Sequence, residues 1–448
     1  MQDAGGTEDA APLEDAGPPD PLVFAGIASA AWDGADGLAG TWPVAGSPFE
    51  IAYTLEARSL ADDAVTTADT ADLTAAVTGL ADGEYRLRTI ATDTGGRESD
   101  GGRSIVQLVG ANRLVHRSTV PRIGAASVWG EDDIVVLAGW ESGLSFSVVD
   151  TTDVRNPIVL TDVAGEGYVK EAKIADGMLF TIGECDCLMG DSDWFDYDQI
   201  GVRIYDFADP ANPALLGTVG APSGSVHNVW YDAGYLYLTD NANYAVAIWD
   251  ATDPANPSFV RHWAPPPGAF IHDQIVLDDL MYVAYWHGFA IVDVSDPANP
   301  VDVVVHSYGP AADAACHNVW PTEDRRYVFT TDELAWAGHL RVWDVSDPEA
   351  VTQVAEWWTD PTHTIHNVHV RGDYAYISYY WDGVVVLDVS DPVNPVLVGS
   401  YDTYDEAVLG AGSPWTGAWG VWPYGPHVAV GDTHAGLLLF DHFPEVVE

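Results

Sequence analysis

The stretches Val292–Pro300 (VDVSDPANP), Ile248–Pro257 (IWDATDPANP) and Val386–Pro395 (VLDVSDPVNP) are copies of one pattern. Each runs an apolar strand into an aspartate, then into an Asp-Pro turn. Variants occur at Ile204–Pro213 (IYDFADPANP), Val342–Ala350 (VWDVSDPEA) and Val148–Pro157 (VVDTTDVRNP), and a half-copy ends at Leu439-Phe440-Asp441. The strand-ending aspartates Asp150, Asp206, Asp250, Asp293, Asp344, Asp388 and Asp441 lie 43 to 56 residues apart. Such a period is that of a four-stranded propeller blade, and the copies number seven. A carboxylate at a strand end can accept backbone N–H bonds in the turn, and proline fixes φ there. That gives the repeated aspartates a structural role; surface calcium binding is the minority reading.

Within a unit the strands alternate with turn signals. His366–Val370 opens one, Arg371-Gly372-Asp373 turns it, and Tyr374–Tyr379 carries aromatics back. Val384–Leu387 is apolar throughout, as expected of a strand buried on both faces, and Val396–Tyr401 is the fourth. The expected fold is therefore all-β, a seven-bladed β-propeller over residues 110–448. The last unit stops at its third strand, Gly436–Phe440. Arg113–Val120 is expected to supply the missing strand and so remove two open edges.

Over residues 111–441 the VDVSDPANP and LDVSDPVNP motifs closely resemble those of the LVIVD-repeat family. The resemblance implies a seven-bladed propeller or a close relative, often exported or surface-attached, and no particular reaction. Residues 21–109 read as a separate small β domain. Short strands are expected at Leu22–Ser29, Gly40–Pro43, Phe49–Ala57, Leu73–Thr78, Tyr85–Thr92 and Ser104–Val109, with Trp42 as a buried ring. Tyr85 follows the tight corner Ala81-Asp82-Gly83, as in the tyrosine corner of Greek-key sandwiches. This stretch resembles a fibronectin type III β-sandwich, which implies a spacer or adhesion module. Residues 1–20 are Ala, Gly, Pro and acid, the composition of a flexible tether.

The chain carries 68 acidic against 17 basic residues, a formal charge of -51. A field of that sign repels phosphate backbones and anionic headgroups, so neither nucleic acid nor a membrane surface is an expected partner. No apolar run is long enough for a transmembrane segment. No basic-apolar leader follows Met1, and the tether reads as the start of a mature exported chain. The expected placement is extracellular, periplasmic or attached to the cell surface in the manner of a lipoprotein. Three cysteines are too few for a disulfide scaffold; Cys316 stands alone, and Cys185 and Cys187 lie in an acidic loop.

The chemistry concentrates at one recurrent position near the start of each unit. It is histidine in four consecutive units: His227, His272, His317 and His366. The preceding unit has Lys170-Glu171 there, and the outer copies have Ala126 and Trp419. If the opening strands line the axis, four imidazoles gather at one sector of the channel mouth. They then either bind a transition metal such as Zn, Cu or Fe, or serve as hydrogen-bonding residues that the repeat encodes. Loops between second and third strands add Trp286, His287, Trp336, His339, Tyr380, Trp381 and His434 on the same face. With Lys170 and Glu171 they make a surface suited to a protein, carbohydrate or small molecule. The insertion Gly183–Ile200 holds Asp191, Asp193, Asp196 and Asp198, which form either a Ca²⁺ site or a solvated acidic loop.

No nucleophile elbow or phosphate cradle is present, so no catalytic residue is assigned. The expected function is that of an exported, monomeric binding protein; the alternative is a metal-binding protein or metalloenzyme.

Overall fold

The computed structural model describes residues 22–32, 37–47, 49–59, 63–81, 83–100, 102, 104–109, 113–139, 144–164, 169–183, 201–220, 226–265, 269–309, 315–404 and 413–442. All of its regular elements are strands. Among the described residues no helix is long and apolar enough to cross a membrane.

Two sheets precede the repeats. One contains β1 (Ser29–Trp32), β2 (Leu38–Thr41) and β5 (Thr74–Val77); the other contains β3 (Ile51–Ser59), β4 (Val65–Thr70), β6 (Gly83–Asp93), β7 (Glu98–Ser99) and β8 (Ile105–Val109). They share a core of Ile27, Leu38, Trp42, Tyr53, Leu55 and Leu87. Tyr85 donates its hydroxyl to the Ala81 carbonyl at 3.1 Å, the bond expected of a tyrosine corner. Two strand expectations need correction. Leu22–Ser29 is reduced to a single bridge, Val23 to Gly46, with β1 beginning only at Ser29. Strands β4 (VTTADT) and the two-residue β7 were not foreseen; β4 is a mostly exposed sheet edge whose residues carry no apolar alternation.

From Leu114 the chain is a β-propeller. Seven four-stranded antiparallel sheets follow among the described residues, six of them built from strands in chain order. Their innermost strands are Ala125–Glu131, Val169–Ala175, Val226–Asp232, Ile271–Leu277, Cys316–Pro321, Val368–Arg371 and Ala418–Tyr424. These pack side by side in sequence, and the last packs on the first, so the circuit closes. The third strands are buried on both faces: Val384, Val385, Val386 and Leu387 are all inaccessible.

The closing sheet takes its outer strand from β9 (Leu114–Val120), paired with Gly436–His442 from Leu437 opposite Val120 to His442 opposite Leu114. Arg117 Nε meets Asp441 Oδ2 at 2.5 Å, and Leu114 is buried with Val384, Val386 and Phe440. The first repeat residues thus complete the last sheet, as the sequence led us to expect.

The repeated motif is a turn device. Asp293 Oδ1 accepts the Ser295 amide at 2.9 Å, and Asp296 Oδ1 accepts that of Ala298 at 3.1 Å. Asp296 Oδ2 accepts Asn299 Nδ2 at 2.8 Å, which explains the asparagine of each Asp-Pro-x-Asn-Pro. Asp153, Asp209, Asp253 and Asp391 hold Asn156, Asn212, Asn256 and Asn394 in the same way. These turns join third to fourth strands. By the antiparallel order they lie at the end of the ring opposite the starts of the innermost strands. The motif that reveals the fold and the residues that carry chemistry therefore occupy opposite faces.

The two parts touch near the sixth sheet. Arg86 Nη2 donates to the Thr359 carbonyl at 3.3 Å, and Ser104 Oγ donates to Asp360 Oδ2.

Candidate metal centre and recognition face

The recurrent position is a β-bulge. Pairing of innermost with second strands slips at Ala125/Val128, Val169/Glu171, Val226/Val229, Ile271/Asp273, Cys316/Asn318 and Ala418/Gly420. The residues left out of register include Ala126, Lys170, His227, His272, His317 and Trp419, with Ser127 and Asn228 beside the first and third. In the sixth sheet His366 and Asn367 pair around Ser378 just ahead of the strand. A bulge leaves a residue out of the ladder and re-aims its side chain, here toward the axis.

The four histidines meet as an unbroken arc. Ring centroids lie 4.3 Å apart for His227–His272, 3.8 Å for His272–His317 and 4.3 Å for His317–His366. Glu333 closes over this arc. Its Oε2 lies 3.5 Å from His317 Nε2 and 3.9 Å from His272 Nε2, and its Oε1 lies 3.9 Å from His366 Nε2. One donor atom each from His272, His317 and Glu333 falls within a 4.8 Å cluster. His227 is outside that cluster, its ring set at 84° to that of His272.

Two anchors fix the arrangement. Tyr380, fully buried, donates its hydroxyl to Glu333 Oε1 at 2.6 Å. His366 Nδ1 lies 2.5 Å from the Trp419 carbonyl, which can only accept, so Nδ1 carries the proton and Nε2 keeps a lone pair. Burial holds these imidazoles neutral: His366 is pushed down to about 3, and His272 and His317 fall well below the usual histidine value. Neighbouring rings add to the effect for the latter two. Burial pushes Glu333 the other way, up to about 7, against the hydrogen bond from Tyr380.

Glu333 was hidden in the sequence within a loop read as aromatic. It occupies the position just after the second strand, where other units have Asn241, Trp286, Tyr380 and Thr433. Its amide donates to the Ala315 carbonyl at 2.9 Å, as Trp286 does to Phe270 and Thr433 to Gly417. That bond seats the residue directly over the start of its innermost strand.

Deeper in the channel a polar chain crosses the sheets. Lys173 Nζ donates to Asn228 Oδ1 at 2.6 Å, Asn228 Nδ2 donates to Asp273 Oδ1, and Asn318 Nδ2 donates to Asp273 Oδ2 at 2.5 Å. Glu171 belongs to this interior set: it accepts from Ser127 Oγ at 2.9 Å and lies 3.8 Å from Lys173. Trp129, Trp230, Trp320 and Trp422 line the axis three residues past the bulge position, with Lys173 Nζ 5.3 Å from the Trp230 ring centre.

The other residues expected on this face divide into buried and exposed. Lys170 shares the cavity lining with the histidines. Trp381 is buried and donates Nε1–H to the Ser413 carbonyl at 2.9 Å. His339 pairs with Glu356 at 2.8 Å, His287 is half-buried, and His434 is exposed. Trp286, Trp336, Trp358 and Trp415 are 36%, 48%, 36% and 43% exposed. The first two lie between second and third strands and the others in fourth-to-first connections, so all four stand at the mouth end. Cys316 is a buried free thiol. Asp191, Asp193, Asp196 and Asp198, with Cys185 and Cys187, lie outside the described residues.

The LVIVD repeat pattern matches residues 223–263, 273–306 and 364–403. No curated protein matches the chain in sequence. Among solved structures, a protein from Lactobacillus plantarum is 14% identical, covering 71% of this chain and 96% of its own, with a TM-score of 0.55. Sqt1 of Saccharomyces cerevisiae is 8% identical over 75% of this chain and all of its own, at 0.52. The Cps50 (Swd1) β-propeller domain of Myceliophteria thermophila is 10% identical over 74% and 99%, at 0.51. At these identities the likeness establishes the fold alone. The chain is a β-propeller repeat protein that carries LVIVD repeats.

Proposed function

We propose that this is an exported or cell-surface binding protein: a polar tether, a fibronectin type III-like sandwich and a seven-bladed propeller that recognises its partner through the mouth end of the ring. One observation carries the reading. Trp286, Trp336, Trp358 and Trp415 expose large indole surfaces at the end where the cavity opens, and the buried histidine–carboxylate cluster lies behind them. Rigid aromatic platforms beside polar groups bind apolar faces of sugars or peptides at low entropic cost.

The reading is tested by replacing Trp286, Trp336 and Trp415 with alanine and comparing parent and variant on glycan arrays and in cross-linking to native cell surfaces. A parent that binds neither, or a variant that binds equally well, removes it. Recovery of the native protein only from cytosol removes the surface placement.

A second reading, a metal-binding protein, is favoured by a different observation: the convergence of His272, His317 and Glu333 behind the mouth.

A further inference from the structure

We infer that His272, His317 and Glu333 hold a divalent transition-metal ion, that His366 is its fourth protein donor, and that Tyr380 positions the carboxylate. The inference rests on the metal-binding reading; the aromatic rim would bind its partner with or without the ion.

Distance is the first argument. With metal–donor bonds of about 2.0–2.1 Å, donors around a tetrahedral ion stand roughly 3.4 Å apart. Glu333 Oε2 stands 3.5 Å from His317 Nε2 and 3.9 Å from His272 Nε2. Those separations are too long for hydrogen bonds and leave a space of the right size between the three atoms.

The second argument is the orientation of lone pairs. His366 spends its Nδ1 proton on the Trp419 carbonyl, so Nε2 presents a lone pair toward Glu333 Oε1, 3.9 Å away. A cation between these two acceptors would be bound by both.

Charge gives the third. A carboxylate buried beneath three neutral imidazoles receives one strong hydrogen bond, from Tyr380. A bound metal ion would give that carboxylate a direct counterion. Lys170 contributes positive charge from the same layer, while Lys173 is engaged with Asn228 and Glu171 deeper in the channel.

A repeat-encoded structural role does not account for the set. The bulge recurs in every sheet, yet histidine fills it in only four, and their contacts differ. His366 bonds a carbonyl, whereas His272 and His317 face Glu333, a residue outside the repeat pattern. Tyr380 and the Trp419 carbonyl are the outer partners that orient ligands in metal sites. Neutral imidazoles with one carboxylate select a borderline ion such as Zn²⁺, Fe²⁺, Co²⁺ or Cu²⁺ over Ca²⁺ or Mg²⁺.

The test uses the full chain stripped with chelator and titrated with Co²⁺ and Zn²⁺. Expected are one equivalent of Co²⁺ bound with visible d–d absorption, displacement by Zn²⁺, and no response to Ca²⁺. The isosteric Glu333→Gln and the double variant His272→Ala/His317→Ala should lose roughly 100-fold or more in affinity, and Tyr380→Phe about 10-fold. His227→Ala should lose less affinity than the ligand variants, since His227 packs on His272 but stands outside the donor cluster. Circular dichroism melting confirms that each variant folds. No stoichiometric uptake by the parent, or full uptake by folded Glu333→Gln, overturns the inference. Neither result touches glycan or cell-surface binding by the Trp286–Trp336–Trp415 rim, which is measured separately on the stripped protein.

Discussion

Tyr380 and Glu333, 47 residues apart in sequence, meet through a 2.6 Å hydrogen bond beneath the mouth of the ring. Both follow a second strand, in adjacent sheets. The bond stabilises the ionised carboxylate, while burial alone favours the proton. Tyr380→Phe therefore moves the Glu333 midpoint upward from about 7. Carbon-13 NMR of labelled glutamate in metal-free protein reads this directly, and an unchanged midpoint refutes it. A carboxyl raised in the folded state costs stability as pH climbs from its ordinary value to its folded one. Glu333→Gln should abolish that part of the pH profile.

Closure of the ring gives a second prediction. In β9, Ser118 stands opposite Leu439 and donates its hydroxyl to the Val154 carbonyl. Ser118→Pro constrains the backbone of that strand and removes the hydroxyl bond to Val154, and is expected to cost about 1 kcal/mol or more. Urea unfolding of the whole propeller should shift to lower denaturant. A shift confined to a local probe on β9, with the propeller midpoint unmoved, would show that the ring does not depend on this strand.

His442, at the end of the same sheet, gives the third. It is buried with Nδ1 2.8 Å from the Tyr376 hydroxyl, and burial, with Arg113 nearby, pushes it down to about 4. A histidine lowered in the folded state contributes stability that is present above its unfolded value and lost as pH falls toward the folded one. The loss between pH 6.5 and 4 is about 3 kcal/mol. In His442→Gln the fall in stability from pH 7 to 4 should be smaller by that order, measured by urea midpoints. An identical slope for parent and variant rejects the assignment.

Lys173 supplies the fourth. It pairs with Glu171 and Asn228 and sits against the Trp129 and Trp230 rings. Lys173→Met keeps the packing and strands the Glu171 carboxylate, a loss of about 3–5 kcal/mol. The double variant Lys173→Met/Glu171→Gln should recover part of it. Equal stability of the two variants would deny the pairing.

Much of the ring could be read from the chain alone, because each sheet announces itself by the same turn. Asp293 and Asp296 accept amides of their own turn and Asn299 bonds Asp296, so the signal is local and repeats wherever the geometry does. The convergence of His227, His272, His317 and His366 was legible for the same reason, since one register position maps to one place on the axis. Glu333 was not. Its role depends on a loop crossing to the neighbouring strands, and the residue types at that position vary from sheet to sheet. Neither could His227 be separated from His272 by spacing: both occupy the bulge, and what divides them is that His272 falls in the donor cluster with Glu333. In the leading module, β4 escaped notice because an edge exposed to water needs no apolar alternation.

The stitching of Leu114–Val120 to Gly436–His442 has a bearing on biosynthesis. A ribosome emitting this chain makes one half of the clasp long before the other, so the nascent protein holds an open arc until Gly436–His442 emerges. During that interval β9 waits without its mate, and shielding it falls to the folding environment. The same arrangement makes the molecule a good subject for circular permutation: moving the cut to a connection between one sheet's fourth strand and the next sheet's first would let every sheet form from contiguous chain.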